Sequence, residues 1–423
     1  MEVLKSALSS IKPTKEEEKN LRLISNNILA KINSCLVHQK AVLGGSGIKG
    51  TWLKNQHDID IFVMFDYKRY QSRSKELPDI LEEKLKKMFP DIRRLHGSRD
   101  YFQIRKENFD FEIIPILNIK SAEQANNITD VSPLHARWVK QHKELSDDIR
   151  LMKQFSKSAG VYGAESYIRG FSGYICEILV IKYGSFLKLI KNAAKWDSKV
   201  IIDTENYYRK KNLFKILSPS KTYSPLIVID PVQRDRNAAA AISTEKFERF
   251  KVVCRKFLKK SSIEFFIEKS PTVESIKKLS GGNILALFSA KPMNGKVDIV
   301  GSKLLKVYEY LAKRFIENEF KILKNGWHWN GKGVALFYFI FKENELPKLK
   351  KHIGPLISLP EHVVRFKDAH KETFIEGNRI CSYVKREFIS PEKLALNLMT
   401  EAYVKERVSS ITIQKISKTK CMQ

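Results

Sequence analysis

Between residues 15 and 39 apolar residues recur at three- and four-residue intervals (Leu21, Ile24, Ile28, Ile32, Leu36) behind an acidic first turn, which predicts an amphipathic helix. Ala41-Val42-Leu43 then reads as a short strand running into a glycine-rich turn, Gly44-Gly45-Ser46-Gly47. A dozen residues on, Asp58-Ile59-Asp60-Ile61-Phe62-Val63 alternates with period two, the pattern of a half-buried strand over residues 58–64. The same reasoning predicts a helix from Pro78 to Met88 and strands at Tyr101–Arg105 and Phe109–Leu117. From Asp147 the period becomes helical and runs to Gly160, a residue suited to the left-handed turn that ends a helix. The apolar run from Ile175 to Leu189 reads as one core helix. Leu226-Ile227-Val228-Ile229-Asp230-Pro231 reads as a buried strand closed by a turn, with an Ala-rich helix starting at Ala238. Beyond residue 260, strands (Ile284–Leu287, Val334–Phe341) mix with basic helices (Leu304–Phe320, Glu345–Ile353). No fixed-period repeat is present, so solenoid architectures are set aside.

A period of two places Asp58 and Asp60 on one face of their strand, and Asp110 and Glu112 fall on one face of a later strand in the same way. Like charges so close repel unless a cation lies between them, and hard oxygen donors suit Mg²⁺. An Asp-x-Asp strand alone is most often an ordinary hairpin with solvent-facing aspartates. The turn upstream favours another reading, because its glycines let backbone N–H groups and the Ser46 hydroxyl close around a phosphate. Asp58, Asp60 and one of Asp110 or Glu112 could hold two Mg²⁺ ions, the arrangement that activates an attacking oxygen and neutralises a leaving pyrophosphate. In the Arg234-Asp235-Arg236-Asn237 stretch, an arginine at a helix N-terminus is a candidate reader of an anion or a base.

Charge sharpens this picture. The 423 residues carry 76 Lys and Arg against 47 Asp and Glu, a net +29, which favours a polyanionic partner and nucleic acid first. Lysines recur on successive elements of the last third of the chain, with Trp327-His328-Trp329 set among them. That repetition suggests a surface gripping a duplex. The length implies two to four domains. Five widely spaced cysteines (Cys35, Cys176, Cys254, Cys381, Cys421) indicate neither a disulfide framework nor a zinc site, and the nine histidines form no paired metal motif. With no membrane-length apolar run and a polar N-terminus, a cytoplasmic location without membrane partners is expected.

Several motifs taken together are more specific. Gly45-Ser46-x-x-Lys49-Gly50-Thr51 with Asp58-Ile59-Asp60 resembles the signature of polymerase-β-like nucleotidyltransferases. Pro133-Leu134-His135, Gly160-Val161-Tyr162-Gly163-Ala164-Glu165, Arg169-Gly170-Phe171-Ser172-Gly173-Tyr174, and Asp230-Pro231-Val232 with Arg236-Asn237-Ala238-Ala239-Ala240 resemble the archaeal CCA-adding enzymes, the class I tRNA nucleotidyltransferases. The resemblance spans most of the chain. It implies a multidomain α+β fold: a nucleotidyltransferase head with a five-stranded-type sheet (residues 1–145), a helical nucleotide- and primer-binding neck (146–257), and an α+β body and tail that hold tRNA (258–423). The implied reaction is Mg²⁺-dependent, template-independent addition of CCA to the tRNA 3′ end from CTP and ATP. The implied metal carboxylates are Asp58, Asp60 and Glu112. Ser46, Lys49, Lys153 and Tyr162 would hold the triphosphate, while His135 and Arg236 would lie near the base, ribose or primer end. Implied partners are the tRNA acceptor stem and T arm and a second copy of the chain as a homodimer. Two departures stand out: Glu112 fills a slot that is Asp in the family's pattern, with Asp110 one pleat upstream, and Lys49-Gly50 replaces a common Arg-Asn. The neighbouring readings are a poly(A) polymerase or oligoadenylate synthetase-like enzyme, which shares the cradle and acids but uses another primer, and a non-catalytic RNA-binding relative.

Overall fold

The computed structural model describes residues 2–54, 58–209 and 211–418, and side chains as far as residue 414. It divides into two compact units, Met1–Lys269 and Ser270–Gln423.

Among the described residues the first unit holds two main hydrophobic cores and a small cluster of Leu213, Leu217, Ile227 and Ile229. One is built on a five-stranded sheet of β1 (Lys40–Leu43), β2 (Asp58–Asp66), β3 (Arg93–Leu95), β4 (Tyr101–Lys106) and β5 (Phe109–Asn118), in the order β1-β2-β5-β4-β3. On β2, Ile59, Ile61, Val63 and Phe65 turn inward against the helices Lys15–Ser34 and Leu77–Met88, leaving Asp58 and Asp60 on the opposite face. The first helix starts where expected, because Thr14 and Glu17 form a reciprocal capping box, but it ends at Ser34, short of residue 39. β2 and β5 run parallel, with Asp58 opposite Asp110 and Asp60 opposite Glu112. The pairing is the step that sequence could not supply. Beyond β5 the chain is fastened by a buried ion pair: Arg99 bonds Asp130, whose Oδ1 also accepts the N–H of Leu117 at 2.9 Å.

The second core gathers the helices Glu2–Ile11, Ser146–Ser158, Gly173–Tyr183, Phe186–Ala193 and Thr244–Lys259 around Phe155, whose ring contacts those of Phe186, Phe250, Phe257, Phe265 and Phe266. Against it lies a three-stranded sheet of β6 (Val200–Asp203), β7 (Leu226–Asp230) and β8 (Gln233–Asn237). Two expectations need correction here. The apolar run 175–189 is two helices, broken at Gly184, which adopts φ +77°. No helix begins at Ala238. Residues 233–237 form β8, and the Asn237 side chain accepts the N–H groups of Val228 (2.9 Å) and Ala239 (2.8 Å), holding the alanines in a turn until Ser243 caps the next helix.

In the second unit, β9 (Ile284–Pro292), β10 (Ile322–His328), β11 (Ala335–Phe341) and β15 (Val408–Lys418) form a sheet in the order β10-β11-β9-β15, backed by the helices Val297–Glu317 and Pro391–Thr400. A second sheet pairs β12 (Leu349–Leu356), β14 (Arg379–Lys385) and β13 (Phe374–Glu376) in that order, with the helix Pro360–Ala369 against it. Residues 345–353 were expected to be helical. Instead 349–356 pair with β14, from Leu349 opposite Lys385 to Leu356 opposite Arg379, so tertiary pairing overrides the local preference of a lysine-rich stretch. Cys35, Cys176, Cys254 and Cys381 are free thiols, and Cys421 lies outside the described residues. Among the described residues no helix is long and apolar enough to cross a membrane.

Candidate active site

The glycine stretch after β1 is one turn of helix, Gly45–Lys49, where sequence suggested an open turn. Two side chains from β2 explain the glycines. A Cβ on Gly44 would stand 2.4 Å from the Phe62 ring, and one on Gly45 would stand 1.6 Å from Asp60 Oδ2. Gly45 also adopts φ +54°. The Asp60 carboxylate therefore lies directly against the start of this turn, with Ser46 the next residue along. We expect Gly45→Ala to displace that carboxylate and lower turnover on the order of a hundredfold, the scale of a misplacement near 1 Å. Parallel turnover and RNA-binding measurements check this, with RNA binding retained.

On the face of the sheet opposite the core, Asp58, Asp60, Asp110 and Glu112 occupy neighbouring same-face rungs. Burial, and then the Asp60, Asp58 and Asp110 carboxylates, push Glu112 up to about 7. Asp60 is raised as well, mainly by burial, with Asp58 adding to the rise and Lys49 opposing it. Burial and the same acids push the nearby Tyr101 hydroxyl up to about 12. Among the described residues no three such groups yet converge into a cage for an ion. The donor set fits a hard divalent cation, since it is all oxygen, anionic, partly desolvated and strained by its own repulsion.

Beside the acids, Lys49, Thr51 and Lys153 meet at one carboxylate, that of Glu177. Lys49 Nζ lies 2.7 Å from Oε2, while Lys153 Nζ and Thr51 Oγ1 lie 2.9 and 2.8 Å from Oε1. Tyr162 joins this group through Gly173. A Cβ there would stand 3.0 Å from the Tyr162 hydroxyl, a tight approach, and 3.8 Å from Lys153 Nζ, an ordinary contact, so the glycine makes room for Tyr162 beside Lys153.

His135 and Arg236 share a second buried carboxylate. Asp230 Oδ2 accepts from Arg236 at 2.6 Å and lies 3.0 Å from His135 Nε2, while Oδ1 accepts from the Tyr174 hydroxyl at 3.1 Å. The His135 and Tyr174 rings lie against each other, centroids 4.1 Å apart and tilted by 31°. Arg236 sits on β8 and not at a helix N-terminus, which corrects the expected setting while leaving its side chain 31% exposed.

The sequence-derived candidates thus fall into three groups: the acids; Lys49, Lys153 and Tyr162, with Ser46 in the turn that carries Lys49; and His135 with Arg236. Reading the sequence missed Glu177, Thr51 and Tyr174. For Glu177 a signal existed, because a lone carboxylate inside Ile175-Cys176-Glu177-Ile178-Leu179-Val180 must be paired if the helix is buried.

Comparison with known proteins matches three successive domains along the chain. Residues 26–116 match the profile described as "Nucleotidyltransferase domain", 147–267 that of "tRNA nucleotidyltransferase, second domain", and 281–411 that of "CCA-adding enzyme, C-terminal domain". The CCA-adding enzyme of Methanocaldococcus jannaschii is 32% identical over 92% of this chain and 88% of its own length. Those of Methanosarcina acetivorans (29% over 96% and 90%) and Sulfurisphaera tokodaii (30% over 94% and 92%) are similar to a comparable degree. An acid-bearing nucleotidyltransferase sheet followed by the domains peculiar to this group leads to one conclusion: the chain belongs to the family of archaeal CCA-adding enzymes, template-independent tRNA nucleotidyltransferases.

Proposed function

We propose that the acid face binds two Mg²⁺ ions through Asp58, Asp60 and Glu112, and that CTP and ATP are added there, one nucleotide at a time, to the 3′ end of tRNA. The observation that carries this reading is the register of β2 and β5, which sets two acidic rungs side by side against the Gly45 turn. When bound, the metal ions lower the pKa of the terminal 3′-hydroxyl and offset charge on the departing pyrophosphate. Asp58 and Asp60 hold them from one strand and Glu112 from the next. Glu112 reaches further than the aspartate of the family's pattern, and Asp110 on the adjoining rung is the other candidate.

Ser46 and the backbone around it, with Lys49, Lys153 and Tyr162, bind the triphosphate. The shared surroundings of Lys153 and Tyr162 at Gly173 support this assignment. His135 and Arg236 face the base, ribose or primer end, and their common anchor on Asp230 supports treating them as one unit. In this reading residues 1–145 act as the catalytic head, 146–257 as the nucleotide- and primer-binding region, and 258–423 as the part that holds the acceptor stem and T arm. We infer a homodimer acting in the cytoplasm.

The experiment is incubation with tRNA transcripts lacking one, two or three terminal nucleotides, with CTP and ATP supplied singly and together. Extension should stop at a complete CCA, require both nucleotides for the shortest primer, and cease on chelation of Mg²⁺. A long A tract from ATP alone would favour a poly(A) polymerase. Because a chain of net charge +29 reads phosphates and 2′-hydroxyls, a minihelix of acceptor stem and T arm should be extended as tRNA is, with affinity falling steeply as salt rises. Failure of the minihelix, or salt-independent binding, would count against the assigned tRNA contacts.

A further inference from the structure

Glu177 is a fully buried carboxylate on an otherwise apolar helix, Gly173–Tyr183, where Ile175, Cys176, Ile178, Leu179, Val180 and Ile181 pack around it. Both its oxygens are used. Oε2 holds Lys49 from the end of the Gly45–Lys49 turn; Oε1 holds Lys153 from the helix Ser146–Ser158 and the hydroxyl of Thr51. Lys153 is itself 3% exposed, and its remaining donors go to Thr51 Oγ1 (2.9 Å) and Thr51 O (3.2 Å).

Structure alone does not call for this cluster. A helix and a turn can be joined by apolar packing, and a buried ion pair seldom stabilises more than apolar residues of the same volume. Two lysines share this one carboxylate, and burial lowers the Lys153 ammonium while the Glu177 charge opposes that. The Lys49 side chain keeps 12% of its surface exposed and lies close enough to Asp60 to affect its ionisation. Lys49 is therefore the member of the cluster that faces the acid side, where an incoming phosphate would meet it.

We propose that Glu177 is a positioning residue for the incoming triphosphate: it never touches the nucleotide but gathers Lys49 and Lys153, which otherwise repel each other, into one preorganised cationic seat. This rests on the reading above that these lysines bind the triphosphate. Glu177 supplies the common anchor that fixes Lys49 of the cradle against the buried Lys153 of the helical region, so that the Lys49 ammonium is held where a phosphate would meet it. Burial alone would raise its carboxyl, yet the Lys153 and Lys49 charges outweigh that and hold it well below the usual carboxylate range.

The test is equilibrium binding of ATP and of AMP to the full chain with Mg²⁺, since a role confined to folding would not act selectively on the β- and γ-phosphates. Glu177→Gln should reduce the preference for ATP over AMP by about tenfold, the scale of one charge-assisted contact, with AMP and tRNA binding changed by less than about twofold. Lys153→Met should also reduce that preference. If Lys153→Met leaves it unchanged, the assignment of that lysine to the triphosphate fails and the proposal fails with it. If Lys153→Met reduces the preference and folded Glu177→Gln does not, Glu177 is only structural while the triphosphate assignment stands. Circular dichroism shows whether Glu177→Gln folds. If it does not, Glu177→Asp decides, because it keeps the charge but is one methylene too short to span both ammonium groups. A severalfold loss of ATP preference in Glu177→Asp supports the anchor role, and a wild-type preference overturns it.

Discussion

Asp60→Ala is expected to abolish nucleotide transfer, lowering turnover on the order of a thousandfold, the scale of removing one preorganised electrostatic element from a transition state. Affinity for tRNA should stay within a few fold. The reasoning is spatial. Asp60 points across the Gly45 turn and shares its rung with Glu112, whereas phosphates of a bound RNA gain nothing from a carboxylate. Single-turnover rates and filter binding on the same preparations separate the two effects, and activity surviving within tenfold would remove Asp60 from the metal-holding set. Comparing Asp110→Ala with Glu112→Ala then assigns the third acid. Loss confined to Asp110→Ala would mean that the working donor sits one pleat upstream.

The second large effect is on base choice. On the proposed assignment Arg236 presents a planar fork to acceptors on cytosine or adenine, and its NH1 donates to Asp230 at 2.6 Å. Loss of a bidentate contact costs ~1–3 kcal/mol of discrimination. Arg236→Ala should therefore misincorporate UTP or stall, while binding tRNA nearly as well as before. Arg236→Lys should not rescue it, because an ammonium group is a point donor without the fork. Sequencing the products of a tRNA two nucleotides short of completion, with all four nucleotides present, reads this directly. Unchanged ordered addition of C then A would take Arg236 out of base reading.

The elements that carry the acids were legible because β2 alternates over residues 58–61 and β5 over 110–114, and period two assigns a face without knowledge of the partner strand. Which rung faces which was not legible, since register depends on long-range pairing and no local signal encodes Asp60 opposite Glu112. Gly184 illustrates another limit. An apolar run of fifteen residues reads as one helix, and a single glycine inside it signals a break only when its left-handed conformation is seen. At residues 238–240 alanine's helix preference lost to side-chain hydrogen bonds from Asn237, a local competition that composition does not reveal. In the site, lone cations were found through motif resemblance, while the buried carboxylates that hold them were harder to see. Glu177 gathers partners from residues 49, 51 and 153, so its role exists only after the chain has folded.

The central claim is that one acid face serves both C and A addition, and it rests on the paired-aspartate strand β2 beside the Gly45 turn. The most direct measurement extends a tRNA ending two nucleotides short of completion, with CTP and ATP, using wild-type chain and Asp60→Ala side by side and reading each addition separately. One shared site predicts that the variant adds neither C nor A. A variant that still adds one of the two at the wild-type rate would contradict it.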